Sequence, residues 1–458
     1  MLAWAAAAAL VAAGAASLSG TAATPPTTAG ACPASGPLLA PPGNVPRYTL
    51  SIRVHKGLHV VTGTVSVRFA PEQATDRLVF RLWPNAPHFA QEGAKLVVGR
   101  VRSNGKKSPV SRPNSTTLVV RRAVSAEEQI RVSMSWRLLL PFNSYERLYG
   151  GTMARLGSFF PLLAWDPRRG WQTDPPSAIG WETWTSPTAD FDVRVTAPRG
   201  LRVLASGEQT GRHHWRAHLV RDFAMAVGRF TVVTSGSSGT DKVRVTAAVQ
   251  GRGASFARTL IADARAALEA HAQRFGPYPW PTLTVVASNM ARYSWEYPTL
   301  VFQTTAGPDL AAGLAHEIGH QWFYSLVGNN QARDPWLDEA LASWAQVRFS
   351  GTLAEELAVE IPEPVRNQLG QPMTFWDQFG IGEFIAGAYD QGVQALASLG
   401  PPDLVDCALR LYARDNAFRI ASPDDLLRSL ETFFPDAGPK LSAYGVHFEA
   451  GRSRTRRR

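Results

Sequence analysis

Residues 315–344 read AHEIGHQWFYSLVGNNQARDPWLDEALASW. His316 and His320 stand four apart, which puts both imidazoles on one face of a helix with Glu317 beside them. Two imidazoles at that spacing can grip one zinc ion, and a catalytic zinc takes a third protein ligand while keeping a position open for water. Glu339 is the candidate for that ligand. Asp334 as cap, Pro335 at the first position and Gly351 past the end outline a helix over residues 334–351 that carries Glu339 in its first turns. The histidine helix is expected over residues 309–327, capped by Asp309 and ended by Gly328. Leu310, Leu314, Ile318, Trp322 and Leu326 form its core-facing side.

Eighteen residues separate His320 from Glu339, and HEIGHQWF followed by WLDEALASW at that distance resembles the M1 family of zinc aminopeptidases. The resemblance implies one zinc ion held by His316, His320 and Glu339. It also implies a thermolysin-like mixed α/β, mainly helical catalytic domain behind an N-terminal antiparallel β-sandwich-like domain, a multidomain α+β architecture. Two further segments extend the likeness. YSWEYP, residues 293–298, matches the family's Gly-x-Met-Glu strand at Glu296, Tyr297 and Pro298, with Ser294 and Trp295 where the family has Gly and Met. Glu296 is thereby the candidate for holding a substrate's free amino group, since a carboxylate at a strand end can pair with an α-ammonium while the strand adds to a peptide backbone. AYDQG, residues 388–392, resembles the family's Tyr-Glu-Lys-Gly segment and makes Tyr389 the candidate partner for an oxyanion. Glu317, next to a ligand but not one itself, is placed to act as general base. Asp338 stands where the family usually has Asn.

The flanks agree with this division. From Tyr48 to about residue 249, short β-branched runs such as YTLSIRV, HVVTGTVSVRF and QIRVSMSW alternate with Gly, Asn and Pro turns, which indicates a β domain over residues 47–249. His213 and His214 lack partners at metal spacing and read as surface residues. The period then changes. Phe256, Leu260, Ile261, Leu268 and Phe275 recur at helical spacing behind Ser255 as cap, LTVVAS (283–288) is a strand, and helices over residues 402–413 and 423–434 complete a catalytic domain of residues 250–445. Larger M1 members carry a helical domain over the cleft; none is foreseen here, so an open cleft with loose control of peptide length is expected.

At 458 residues and 45% hydrophobic content the chain can bury more than one core, and disorder is not the expectation. Its net charge of +10 owes five units to the arginines of the basic tail at residues 446–458, leaving the body near +5. Such a run is an ordinary solvated end, and no nucleic-acid partner is expected. Leu2 to Leu18 is an uncharged Ala-rich run followed by small residues, which suits a signal peptide at residues 1–23 and a Pro/Thr-rich linker at 24–46. An exported protein, extracellular or associated with the cell envelope and with no membrane span after processing, is the expectation. Cys32 and Cys407 are too few for a cysteine zinc site, and their pairing stays open. Peptides or proteins are the expected substrates. Two alternatives remain: a weakly active or inactive peptide-binding protein on the same fold, and a hydrolase of a non-peptide substrate.

Overall fold

A computed structural model describes residue 32 and residues 36–142, 147–178, 180–236, 242–291, 293–307 and 309–449. The candidate signal peptide and the arginines of the basic tail lie outside the described residues. The chain divides into two compact units, Met1–Cys32 and Pro33–Arg458, and all the described strands and helices belong to the second. Neither cysteine is a free thiol.

Strict alternation builds the β block. Along Arg47–Val54, Tyr48, Leu50, Ile52 and Val54 are buried while Arg47, Thr49, Ser51 and Arg53 are exposed, as a strand with one face on a core and one in water requires. This strand lies near the middle of an eight-stranded sheet. On one side it pairs in parallel with Ala189–Thr196; on the other it pairs antiparallel with Val60–Phe69, which pairs in turn with Ile130–Leu139. Two four-stranded sheets, one centred on Thr75–Arg81 and Thr117–Val124 and the other on Met225–Gly228 and Met153–Leu156, supply further layers.

A five-stranded mixed sheet underlies the candidate site. Arg244–Val249, Thr282–Ser288 and Leu300–Thr304 run parallel, Thr231–Thr234 joins antiparallel at one edge, and Trp295–Tyr297 joins antiparallel at the other. The strands between residues 231 and 249, which alternation alone groups with the β block, therefore hydrogen-bond into this sheet. The helix Ala254–Phe275 packs against this sheet and against the histidine helix, burying Leu260, Ala264, Ala267 and His271. Gly253, not Ser255, occupies its cap position.

Several helical expectations need correction. The histidine helix begins where expected, with the Asp309 side chain accepting from Ala312 N at 2.9 Å, but spans only Leu310–Gly319. His320 closes it, and the chain then turns through wider backbone bonds, Ser325 N to His320 O and Leu326 N to Gln321 O among them. The second helix spans Trp336–Ser350, with Pro335 one position earlier than expected and Gly351 closing it at φ 75°. Around Tyr389, where the motif alone assigns no secondary structure, the backbone is broken into three pieces. It passes from Ile381–Phe384 through a π-helical turn at Ile385–Asp390 to Gln391–Ala397. The last expected helix ends at Leu430, and a further short helix, Ala437–Ala443, follows it.

Candidate metal and substrate site

The two helices that carry the candidate ligands cross closely because Gly319 has no side chain. A Cβ there would lie 3.0 Å from Ala345 Cβ and 3.3 Å from Ala342 Cα. That contact brings His316, His320 and Glu339 together. His320 Nε2 and His316 Nε2 are 3.1 Å apart, and Glu339 Oε2 is 3.5 Å from the first histidine and 3.4 Å from the second. Ligand atoms about 2.0–2.1 Å from a tetrahedral zinc stand about 3.3 Å from one another, so the triangle matches the donor set the ion needs. Glu339 Oε2 is buried without a hydrogen-bond partner, as a ligand atom reserved for a cation would be.

The imidazole tautomer is fixed from behind. His320 Nδ1–H donates to Asp338 Oδ1 at 2.7 Å, leaving the Nε2 lone pair to face the triangle. Glu296, His320 and Asp338 also gather within ligand range. Their closest pair, at 2.7 Å, is too tight to be two ligands of one ion and is that hydrogen bond. An anionic Asp338 behind the ring makes the His320 Nε2 a stronger electron donor. Gln331 Nε2 donates to the other Asp338 oxygen.

Glu317, Glu296 and Glu182 line a cavity of ≈ 210 Å³ with His316, His320, Glu339 and Tyr389. At about 30 Å³ per water, it has room for one amino-acid residue or so. Burial raises the Glu317 carboxyl well above its ordinary range, and the nearby Glu296 charge adds to the rise. Burial likewise pushes Glu296 up to about 7 and Glu182 to about 8, the latter against the pull of Arg147. Glu339 goes the other way: burial opposes its charge, but the adjacent His316 and His320 rings hold its pKa well below the usual carboxylate range. A pocket with this many buried acids calls for cations to neutralise it.

Tyr389 sits in the π-helical turn, a feature frequent at functional sites. Its ring stacks on His316 at 5.7 Å and 6° between planes. Trp181, which the sequence reading did not single out, holds two of these groups at once. Its Nε1–H donates to Tyr389 Oη at 2.9 Å and to Glu339 Oε1 at 3.2 Å. Trp181 and Glu182 arrive on an irregular segment that is fastened to the loop between the two ligand-bearing helices and to Asp377. Asn330 Nδ2 donates to Gln172 and Asp174, Arg333 pairs with Asp174 at 2.9 Å, and Asp377 accepts from Ser177 Oγ and Ala178 N. The motif WETW (181–184), a lone carboxylate between aromatics, was the signal available for this segment.

Glu296 lies at the open edge of the five-stranded sheet and projects into the cavity. Trp295 is buried, packs on Trp181 at 5.8 Å and Tyr293 at 6.1 Å, and carries the Arg147 guanidinium 4.0 Å from its ring. Arg147 also pairs with Glu182. All six residues proposed from sequence, His316, His320, Glu339, Glu317, Glu296 and Tyr389, therefore meet in one cavity. His214 hydrogen-bonds Asp192 on the outer sheet, far from this chemistry.

Residues 264–379 match the model of the peptidase family M1 domain. A membrane alanyl aminopeptidase from Heliothis virescens is 32% identical over 156 residues, which cover 30% of this chain and 15% of that protein. Human aminopeptidase B is 28% identical over 199 residues, covering 36% and 30%. The chain thus spans less than a third of either relative. The fold matches more widely. An M1 zinc metallopeptidase from Deinococcus radiodurans, solved with a Tyr-Ser-Ala substrate, aligns over 88% of this chain and 94% of that one, at 19% identity and a TM-score of 0.63. A two-domain M1 zinc metallopeptidase bound to L-arginine gives 18% identity, the same coverage and a TM-score of 0.64.

Proposed function

We propose that this chain, whose residues 264–379 match the peptidase family M1 domain, is an exported zinc aminopeptidase that hydrolyses the first peptide bond of substrates with a free amino end. The observation that carries the proposal is the triangle of His316, His320 and Glu339 opening onto a cavity with three further buried carboxylates. The catalytic unit, residues 250–445, takes in the strands between 231 and 249, and the β block from residue 47 supplies the segment carrying Trp181 and Glu182. Export rests on the uncharged run from Leu2 to Leu18. Among the described residues no helix is long and apolar enough to cross a membrane.

Each side chain then has a task. His316 Nε2, His320 Nε2 and Glu339 Oε2 would hold one zinc ion, which supplies Lewis acidity and makes water acidic near neutral pH. Glu317 takes the proton of the attacking water and returns it to the leaving amine, a role its raised proton affinity favours. Tyr389, whose oxygen already accepts from Trp181, turns its own O–H from Glu339 to the carbonyl oxygen as charge develops there. Glu296 and Glu182 face the substrate's α-ammonium, and the open strand edge beside Glu296 pairs with its backbone.

The test uses fluorogenic aminoacyl substrates, free and N-acetylated, with and without a chelator. Glu317→Ala should keep its zinc and lose turnover by at least a thousandfold. Retained turnover in that variant would overturn the mechanism. Equal cleavage of free and acetylated substrates would overturn the exopeptidase reading.

A further inference from the structure

The outward face of the eight-stranded sheet carries a pattern that peptide hydrolysis does not use. Strand register lines Arg47, Arg68 and Arg131 up directly across three neighbouring strands. Six residues further along the same strands, Arg53 stands opposite Thr62, and Thr62 opposite Arg137. Between the two rows the face is hydroxylic, with Ser51 opposite Thr64 and Thr64 opposite Ser135. All five arginines are exposed, and among the described residues none has a carboxylate within 4.0 Å. The two acids at this end of the sheet are taken: Asp192 by His214 and Arg216, and Asp190 by His218. Like charges directly opposite each other on a sheet destabilise it, so a row of three arginines works against the fold that displays it.

The row is also concave. Arg47, Arg68, Arg131 and Arg216 line a groove of ≈ 540 Å³ together with Thr49 and Ser66, and its two carboxylates, Asp190 and Asp192, are the ones already held by His218, His214 and Arg216. The second row lies about 20 Å away at roughly 3.3 Å per residue. Guanidinium forks match phosphate oxygens two at a time, and the intervening hydroxyls supply neutral donors to the same oxygens. From these observations we infer that this face binds a flexible linear polyanion of phosphodiester type, running from the Arg47–Arg68–Arg131 groove across the hydroxyl field to Arg53 and Arg137. A planar anionic membrane fits less well. Eight strands accumulate about 20–25° of twist at each step, which makes the face a saddle that a chain can follow and a plane cannot. Among the described residues the face also lacks an exposed aromatic side chain to anchor in lipid.

The test is fluorescence anisotropy with the full chain and two labelled probes of about thirty phosphates, an oligothymidylate and a poly(glycerol phosphate), over a range of salt from about 50 to 200 mM. Anionic phosphatidylglycerol vesicles form a third arm. Binding of either polymer is expected. The variant Arg68→Ser/Arg131→Ser/Arg137→Ser should weaken it at least tenfold and flatten the slope of log K against log salt by about 2, at roughly 0.7 for each phosphate no longer neutralised. A charge-matched variant in the tail, Arg454→Ser/Arg456→Ser/Arg457→Ser, should weaken it far less. Peptidase turnover in the sheet variant should equal the parent's, which establishes that it is folded. Binding of both polymers supports general phosphodiester recognition, and binding of one identifies the backbone it prefers. The inference is overturned if neither polymer binds, if only vesicles bind, or if the tail variant loses as much affinity as the sheet variant.

Discussion

Trp181 gives the sharpest test of how the site is held. One indole N–H is shared between Tyr389 Oη at 2.9 Å and Glu339 Oε1 at 3.2 Å, so Trp181→Phe removes a single donor and disturbs both the candidate oxyanion partner and the candidate carboxylate ligand. A hydrogen bond to a charged acceptor contributes about 1.5–3 kcal/mol, and about 2 kcal/mol corresponds to roughly a thirtyfold fall in kcat. Because Phe keeps an aromatic ring against Trp295, Tyr293 and Phe384, KM should change by less than threefold or so. Steady-state kinetics on an aminoacyl substrate, with zinc content measured on the same sample, separates the outcomes. If Trp181 acts through Tyr389, the double variant Trp181→Phe/Tyr389→Phe should lose much less than the product of the two single losses. A kcat within twofold of the parent at full zinc occupancy, or strictly multiplicative losses, would refute this account of the indole.

Other outcomes follow from the same geometry. Glu296→Gln should raise KM for substrates with a free amino end by about ten- to a hundredfold, and Glu182→Gln less, because Glu182 is already paired with Arg147; acetylated substrates should be indifferent to both. Gly319→Ala should cost about 1–3 kcal/mol in a denaturant titration and weaken zinc retention against a chelator, since the new methyl separates the helices carrying the three ligands. His271, fully buried and donating to Ala315 O, has its pKa lowered by burial to about 4. Between that value and the unfolded value of about 6.5 the unfolded chain binds a proton that the folded chain does not. Stability is therefore full above about pH 6.5 and falls by about 3 kcal/mol as pH drops to about 4. His271→Gln should flatten that part of the profile; an unchanged slope in thermal melts would contradict it.

That His316, His320 and Glu339 would meet was legible in sequence because helix geometry turns spacing into position. Four residues fix His316 against His320, and a proline-started, glycine-ended helix places Glu339 near the start of its partner. The outer sheet was legible for the equivalent reason, a period of two. What was missed has no period. Trp181 and Glu182 lie on an irregular segment whose course is set by hydrogen bonds to Asn330, Arg333 and Asp377, residues about 150 to 200 positions downstream. The early end of the histidine helix follows the same logic. Apolar spacing continues to Leu326, but beyond Gly319 the chain trades α-helical bonds for wider ones, which local propensity does not encode. Tyr389 was found by motif, while the π-helical turn that seats it against His316 was not foreseen.

The fastening of residues 172–188 bears on how such a protein can be altered. The helices carry the candidate metal ligands and Glu317, whereas Trp181 and Glu182 are loaned across from the β block on a strap fixed at Asp174 and Ser177. A hybrid joining these helices to another β block would keep its ion and forfeit the orientation of its tyrosine unless the anchors at Asn330, Arg333 and Asp377 were transplanted too. The two halves are heritable only as a matched pair, and the strap is the part where a mismatch between them would first be felt.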